Sequence, residues 1–147
     1  MALAPFIAKL FCRSSSGSST SPAEPAHLLL GRLGERLAAR HLRRHGFKVL
    51  YRNFRPPHGG EIDLVCREKK TLVFVEVKTR APGGPGRPAD AVDPAKEEAL
   101  VRGTQAWLRL LRDPAIPVRL DIVEVIIGPG RPVITLTRDA LAFTGIS

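Results

Sequence analysis

The chain of 147 residues holds two cysteines, Cys12 and Cys66. Cys12 lies in a Ser-rich N-terminal stretch and Cys66 inside a strand-like apolar pattern. That scarcity argues against a disulfide framework or a cysteine-based zinc site, and it fits a reducing, cytoplasmic setting. No apolar run approaches the roughly 20 residues of a bilayer-spanning helix, so no membrane association is expected. No internal repeat is visible. The GGPG stretch of residues 83–86 lacks the GK[ST] ending of a phosphate-binding loop. Acidic residues are also in short supply, with 14 Asp/Glu against 23 Lys/Arg and a net charge of +9.

That acid deficit is local. Residues 31–58 carry eight Lys/Arg and one acidic residue, Glu35. A segment this basic is drawn to a polyanion, of which nucleic acid is the commonest. The alternative is a solvated, arginine-rich helix that aids solubility. The composition is otherwise ordinary, 44% hydrophobic and 25% charged, enough for one core in one domain. Residues 1–27 stand apart, rich in Ser, Ala and Pro, with Glu24 as their one acid. A disordered leader is expected there, a targeting peptide being the alternative; residues 28–147 are expected to form a single domain.

Helical periodicity runs over residues 28–45, and Gly46 suits a stop. Leu28, Gly31, Glu35, Ala38 and Leu42 share one face of this helix, with arginines on the neighbouring stripe. Residues 47–55 read as a strand and 56–60 as a turn. Residues 61–67 and 71–79 form the arms of a hairpin, and 81–94 an irregular loop. Asp93 is placed to cap a second helix that begins at Pro94, with Ala99, Leu100, Gly103, Trp107, Leu110 and Leu111 facing inward. Residues 118–127 and 133–137 are further strands, and a short last helix is expected from about Arg138. The order α-β-β-β-α-β-β predicts an α/β fold, a mixed central sheet flanked by helices.

The hairpin carries charge where a sheet wants apolar residues. Alternation puts Glu76 and Lys78 on one face with Leu72 and Phe74, and Glu61, Asp63 and Val65 on one face of the preceding strand. A loop over residues 68–71 pairs Arg67 with Leu72, so opposed residue numbers sum to 139 and Asp63 falls across from Glu76. Two opposed, partly buried carboxylates repel. A divalent cation removes the objection, and Mg²⁺ takes one or two carboxylates, water and substrate phosphate. Lys78 could then hold the attacking water or offset charge on a phosphate. The competing reading is an exposed ion-pair cluster of little energetic worth. Glu35 could reach the hairpin from the first helix, or pair with Arg32. Lys96 falls on the inward side of the second helix, to contact phosphate or to snorkel. Glu61 could join the site or close the Gly59–Gly60 turn. Tyr51 and Phe54 could stack on a base, with strand packing the simpler role. His41, His45 and His58 lack metal-ligand spacing.

GRLGERLAARHL, GFKVLYRNFR, GGEIDLVCRE and LVFVEVKTR together resemble the YraN family of small bacterial proteins, placed in the PD-(D/E)XK nuclease superfamily with its restriction-endonuclease-like fold. The resemblance runs from about residue 30 through LDIVEV at residues 120–125. It implies an αβββαβ core with the active site at the central hairpin. It maps the motif acid onto Asp63, the E-x-K onto Glu76 and Lys78, and the helical Glu of the similar Holliday-junction resolvases onto Glu35. The expectation is a Mg²⁺-dependent endonuclease, with Mn²⁺ as a substitute, that hydrolyses phosphodiester bonds, in DNA rather than RNA, with branched or damaged DNA as the candidate substrate. Asp63 and Glu76 would bind the metal, while Lys78 and Glu35 assist. Arg36, Arg40, Arg43, Arg44, Arg52, Arg55, Arg80 and Lys96 are the candidate nucleic-acid contacts. The alternatives are a non-catalytic nucleic-acid-binding accessory module and a protein-interaction module. A two-fold homodimer would suit the cutting of paired strands.

Overall fold

The computed structural model describes residues 24–84, 93–111 and 115–141. Seven elements follow the predicted order: α1 (Ala26–Arg44), β1 (Lys48–Phe54), β2 (Ile62–Glu68), β3 (Thr71–Arg80), α2 (Pro94–Leu111), β4 (Val118–Ile126) and β5 (Val133–Thr137). The strands form one sheet in the order β1-β2-β3-β4-β5. The β3–β4 pair is parallel and the other three pairs are antiparallel. Two parallel neighbours need a long crossover, and α2 supplies it. The result is a mixed α/β fold compatible with the restriction-endonuclease-like architecture. No helix among the described residues is long and apolar enough to cross a membrane.

The two helices lie on opposite faces of the sheet, because β2, β3 and β4 carry apolar side chains on both. Ala38, Ala39 and Leu42 of α1 pack with Leu64, Cys66, Val73, Val75, Val123 and Val125. Leu100 and Trp107 of α2 pack with Phe54, Ile62, Val65, Leu72, Phe74 and Leu120. Tyr51 and Phe54 belong to this second cluster, their rings 5.6 and 5.0 Å from that of Trp107, so packing is their role. Cys66 is fully buried, and burial pushes its thiol up to about 12. A thiol held protonated in an apolar core is inert.

Helix α1 comes close to the sheet because Gly34 permits it. A Cβ at that position would lie 1.8 Å from the Thr79 Oγ1 of β3. Past the end of the helix the chain turns at Gly46, whose φ of +87° favours glycine. Asp93 caps α2, its Oδ1 accepting the Ala95 N–H at 3.1 Å. A network away from the hairpin's open end ties β5 to the rest. Arg119 donates to both oxygens of fully buried Asp121, at 2.7 and 2.8 Å, and to Glu68 at 2.8 Å. Arg138 also donates to Glu68, and the two guanidinium groups hold that carboxyl down at about 2.

The structure corrects four expectations. Helix α1 begins at Ala26, so Ala26 and His27 are helical rather than part of the leader, and Glu24 pairs with Arg32 at 2.8 Å. Leu28 does not share the packed face: it is 47% exposed, because the helix overhangs the sheet before Gly34. Leu110, expected inward, is 43% exposed near the end of α2. Arg138 and Asp139 form a turn rather than the start of a helix, with Asp139 at φ +51° and its N–H bound to Asp121. The leader through residue 23, Cys12, and most of the expected loop (residues 85–92) lie outside the described residues.

Candidate functional site

The predicted register holds. Arg67 pairs with Leu72, Cys66 with Val73, Val65 with Phe74 and Leu64 with Val75. The strands reach Glu68 and Thr71, which leaves a tighter tip than expected, with Lys69 at φ +54°. Past Leu64 the ladder gives way. The Val77 N–H is met not by a backbone carbonyl of β2 but by the Asp63 side chain, Oδ2 accepting at 2.7 Å. The carboxylate is thereby fixed at the open end of the hairpin.

β1 bends at the same level. Asn53 sits at φ +53°, a left-handed conformation that Asn tolerates. This resets the alternation of side chains. Asn53 turns to the α1 side, where its Nδ2 donates to Glu35 Oε2 at 3.0 Å. Phe54 and its partner Ile62 turn to the α2 side. Strand alternation alone would put Ile62 on the face of Leu64 and Cys66; it packs instead on Gly103, where a Cβ would lie 2.8 Å from its Cγ1. The anticipated Glu35–Arg32 pair gives way to the Asn53 contact, and Arg32 bonds Glu24.

Glu35, Glu61, Asp63 and Glu76 line one open cavity of about 340 Å³, with Thr79, Lys96 and the first turns of α1 completing its wall. Glu76 is 7% exposed. Its carboxylate lies 3.6 Å from the Lys96 ammonium. Glu61 accepts from Arg55 Nε at 3.0 Å, while its own N–H donates to Ala99 O at 3.1 Å and holds the strand entrance against α2. Burial, with the Glu76 charge second, pushes Asp63 up to about 7; the Val77 N–H opposes this. Burial also raises Glu76, against the pull of Lys96 and, more weakly, Lys78. Lys78 follows Glu76 on the same face of β3, opposite Glu124 of β4, outside the cavity lining.

The cavity shares His27, Gly31 and Glu35 with a second, larger groove of about 780 Å³. Arg32, Arg36, Arg52 and Arg55 line that groove. The predicted basic residues therefore divide into sets. Arg36, Arg52 and Arg55 flank the acidic cavity. Arg40, Arg43 and Arg44 are exposed further along α1. Arg80 is held by Glu124, its Nε donating at 2.6 Å. Lys96 faces the carboxylates. His41 stacks on His45, with ring centroids 4.1 Å apart.

Several of these residues escaped the sequence reading. His27 lay within the supposed leader, Asn53 inside a regular-looking strand, and Thr79 beyond the charged triplet. The G-x-x-G spacing of Gly31 and Gly34 was the available signal for a close helix–sheet contact.

Residues 34–125 match the family described as "Uncharacterised protein family UPF0102". A UPF0102 protein from Koribacter versatilis is 39% identical over 125 residues, covering 84% of this chain and 87% of its own length. One from Nocardia farcinica is 45% identical over 106 residues, covering 71% and 83%. One from Chlorobaculum tepidum is 41% identical over 97 residues, covering 66% and 74%. The chain that folds a basic helix and a carboxylate-bearing hairpin around this cavity belongs to the UPF0102 family, also called YraN.

Proposed function

We propose that the chain is a metal-dependent nuclease of the PD-(D/E)XK type, hydrolysing phosphodiester bonds at the acidic cavity. The observation that carries this reading is the placement of Asp63 and Glu76 together in a water-accessible hollow beside an arginine-lined groove. Here Asp63 is driven toward its neutral form by burial and by its neighbour, an arrangement that costs stability until a cation arrives.

The donor set fits Mg²⁺. Among the described residues no three His, Cys, Asp or Glu side chains form a ready-made metal cage. Mg²⁺ does not require one, since it commonly takes one or two carboxylates and completes its shell with water and phosphate oxygens. Asp63 and Glu76 would hold it, and it would supply Lewis-acid activation of the scissile phosphate and of water. The chain's own groups do the rest. The Val77 N–H orients the Asp63 carboxylate. Asn53 aims Glu35 at the cavity, where it can accept a proton or hold a water. Lys96 and Lys78 put positive charge beside Glu76, suited to an oxyanion developing on phosphorus. Arg36, Arg52 and Arg55 would bind the backbone on either side, and DNA is the proposed polymer.

The test is cleavage of labelled duplex, single-stranded, flap and four-way-junction substrates in Mg²⁺ or Mn²⁺, with Glu76→Ala protein in parallel. Metal-dependent cutting that disappears in the variant is expected, with affinity falling steeply as salt rises. Salt-sensitive binding by folded wild-type protein without cutting on any substrate would replace this reading with the accessory module.

A further inference from the structure

A third cavity, of about 600 Å³, opens further along α2. Phe54, Pro56, Pro57 and Leu110 give it apolar walls, and Arg109 and Arg102 stand exposed beside them, Arg102 within 3.4 Å of the exposed Glu98 carboxylate. It lies next to the candidate site and at a fixed spacing from it. The Gly59–Gly60 turn separates the two, and that turn is pressed against α2. Gly60 has φ +111°, and a Cβ on it would lie 2.5 Å from the Gly103 nitrogen. Ala99 lines the acidic cavity and Ala106 the apolar one. Seven helical residues separate them, about 10 Å of rise along the helix, a span that a few nucleotides of one strand can cover.

We propose that this cavity receives an unpaired nucleobase, a few nucleotides from the phosphate held at the acidic site. The inference rests on the nuclease reading and narrows its substrate to nucleic acid with single-stranded character at or beside the cut. Charge complementarity selects the occupant. An apolar slot flanked by two arginines suits a flat base with a phosphate on either side, through ring contact and cation–π attraction. An apolar peptide would make no use of the arginines. A fully paired duplex would have to give up stacking to reach the slot.

The experiment measures binding rather than cutting, in EDTA. The full chain is titrated into a single-stranded oligonucleotide carrying 2-aminopurine, and separately into a blunt duplex of equal length. Leu110→Ser and Pro57→Ala are compared with wild type; both positions are exposed and neither change alters charge. The expected result is a change in 2-aminopurine fluorescence on binding. Single-strand affinity should weaken about tenfold in Leu110→Ser and less in Pro57→Ala, with duplex affinity within about twofold of wild type and Tm unchanged. Equal weakening on both substrates, or none on the single strand, overturns the base site while leaving the nuclease reading intact. Wild-type protein that binds neither substrate overturns both.

Discussion

Asp63 is held by a backbone N–H on one side and crowded by charge on the other. Its carboxylate caps a β3 N–H that the diverging β2 backbone leaves open, while three other carboxylates line the same hollow. Folding therefore raises its proton affinity from an ordinary 3.8 to about 7. A proton held more tightly by the folded than by the unfolded chain gives stability that is present below about pH 4 and withdrawn as pH rises to about 7. Asp63→Asn keeps an oxygen for the Val77 N–H and removes the charge. Metal-free Asp63→Asn protein should therefore be more stable than wild type by about 1–2 kcal/mol at pH 8, after allowance for solvent screening of a half-buried group, and indistinguishable near pH 4. Urea unfolding at the two pH values checks this; a variant less stable than wild type at pH 8 would mean that the carboxylate is structural. That Asp63 and Glu76 come to one cavity was legible in the sequence, because strand alternation and a short hairpin loop fix the register as far as Leu64 and Val75. The capping of Val77 was not, because it requires the strands to part beyond Leu64, and side-chain periodicity carries no record of that.

At the level of elements, the site depends on α1 lying directly on β3. Gly34 makes the contact, and Gly31, one turn earlier, faces open space. Two identical substitutions should therefore have opposite signs. Gly34→Ala forces a methyl into Thr79 and should cost about 1–3 kcal/mol. Gly31→Ala meets nothing within 4 Å and should gain up to about 1 kcal/mol of helix propensity. Thermal melts of the pair check the difference, and equal effects would contradict the packing. Most elements were readable from periodicity, caps and turns: Asp93 before Pro94, Gly46 after α1, and all five strands. The failures share a cause. Leu28 and Leu110 lie where a helix overruns the sheet, and a helical period continues past the last partner it can bury against. Ile62 packs on the α2 side although Leu64 packs on the α1 side, a break that strand alternation does not announce, and left-handed Asn53 on the neighbouring strand reads like any polar strand residue.

Across the whole molecule, charge is sorted by place. Carboxylates converge in a hollow at the open end of the hairpin, arginines line the groove that joins it, and the Arg119–Asp121–Glu68 network secures the sheet elsewhere. The net +9 of the chain thus conceals an acidic focus within a basic surround, the arrangement a polyanion and a divalent cation would need together. The central claim is that this focus exists to hold a cation. The most direct measurement is Mn²⁺ binding, followed by electron paramagnetic resonance, in wild type, Asp63→Asn and Glu76→Gln, each with a short nuclease-resistant duplex present. The account predicts saturable binding by wild type that is lost in both variants while the fold is retained. Binding of equal strength in all three proteins, or none by folded wild type, would contradict it.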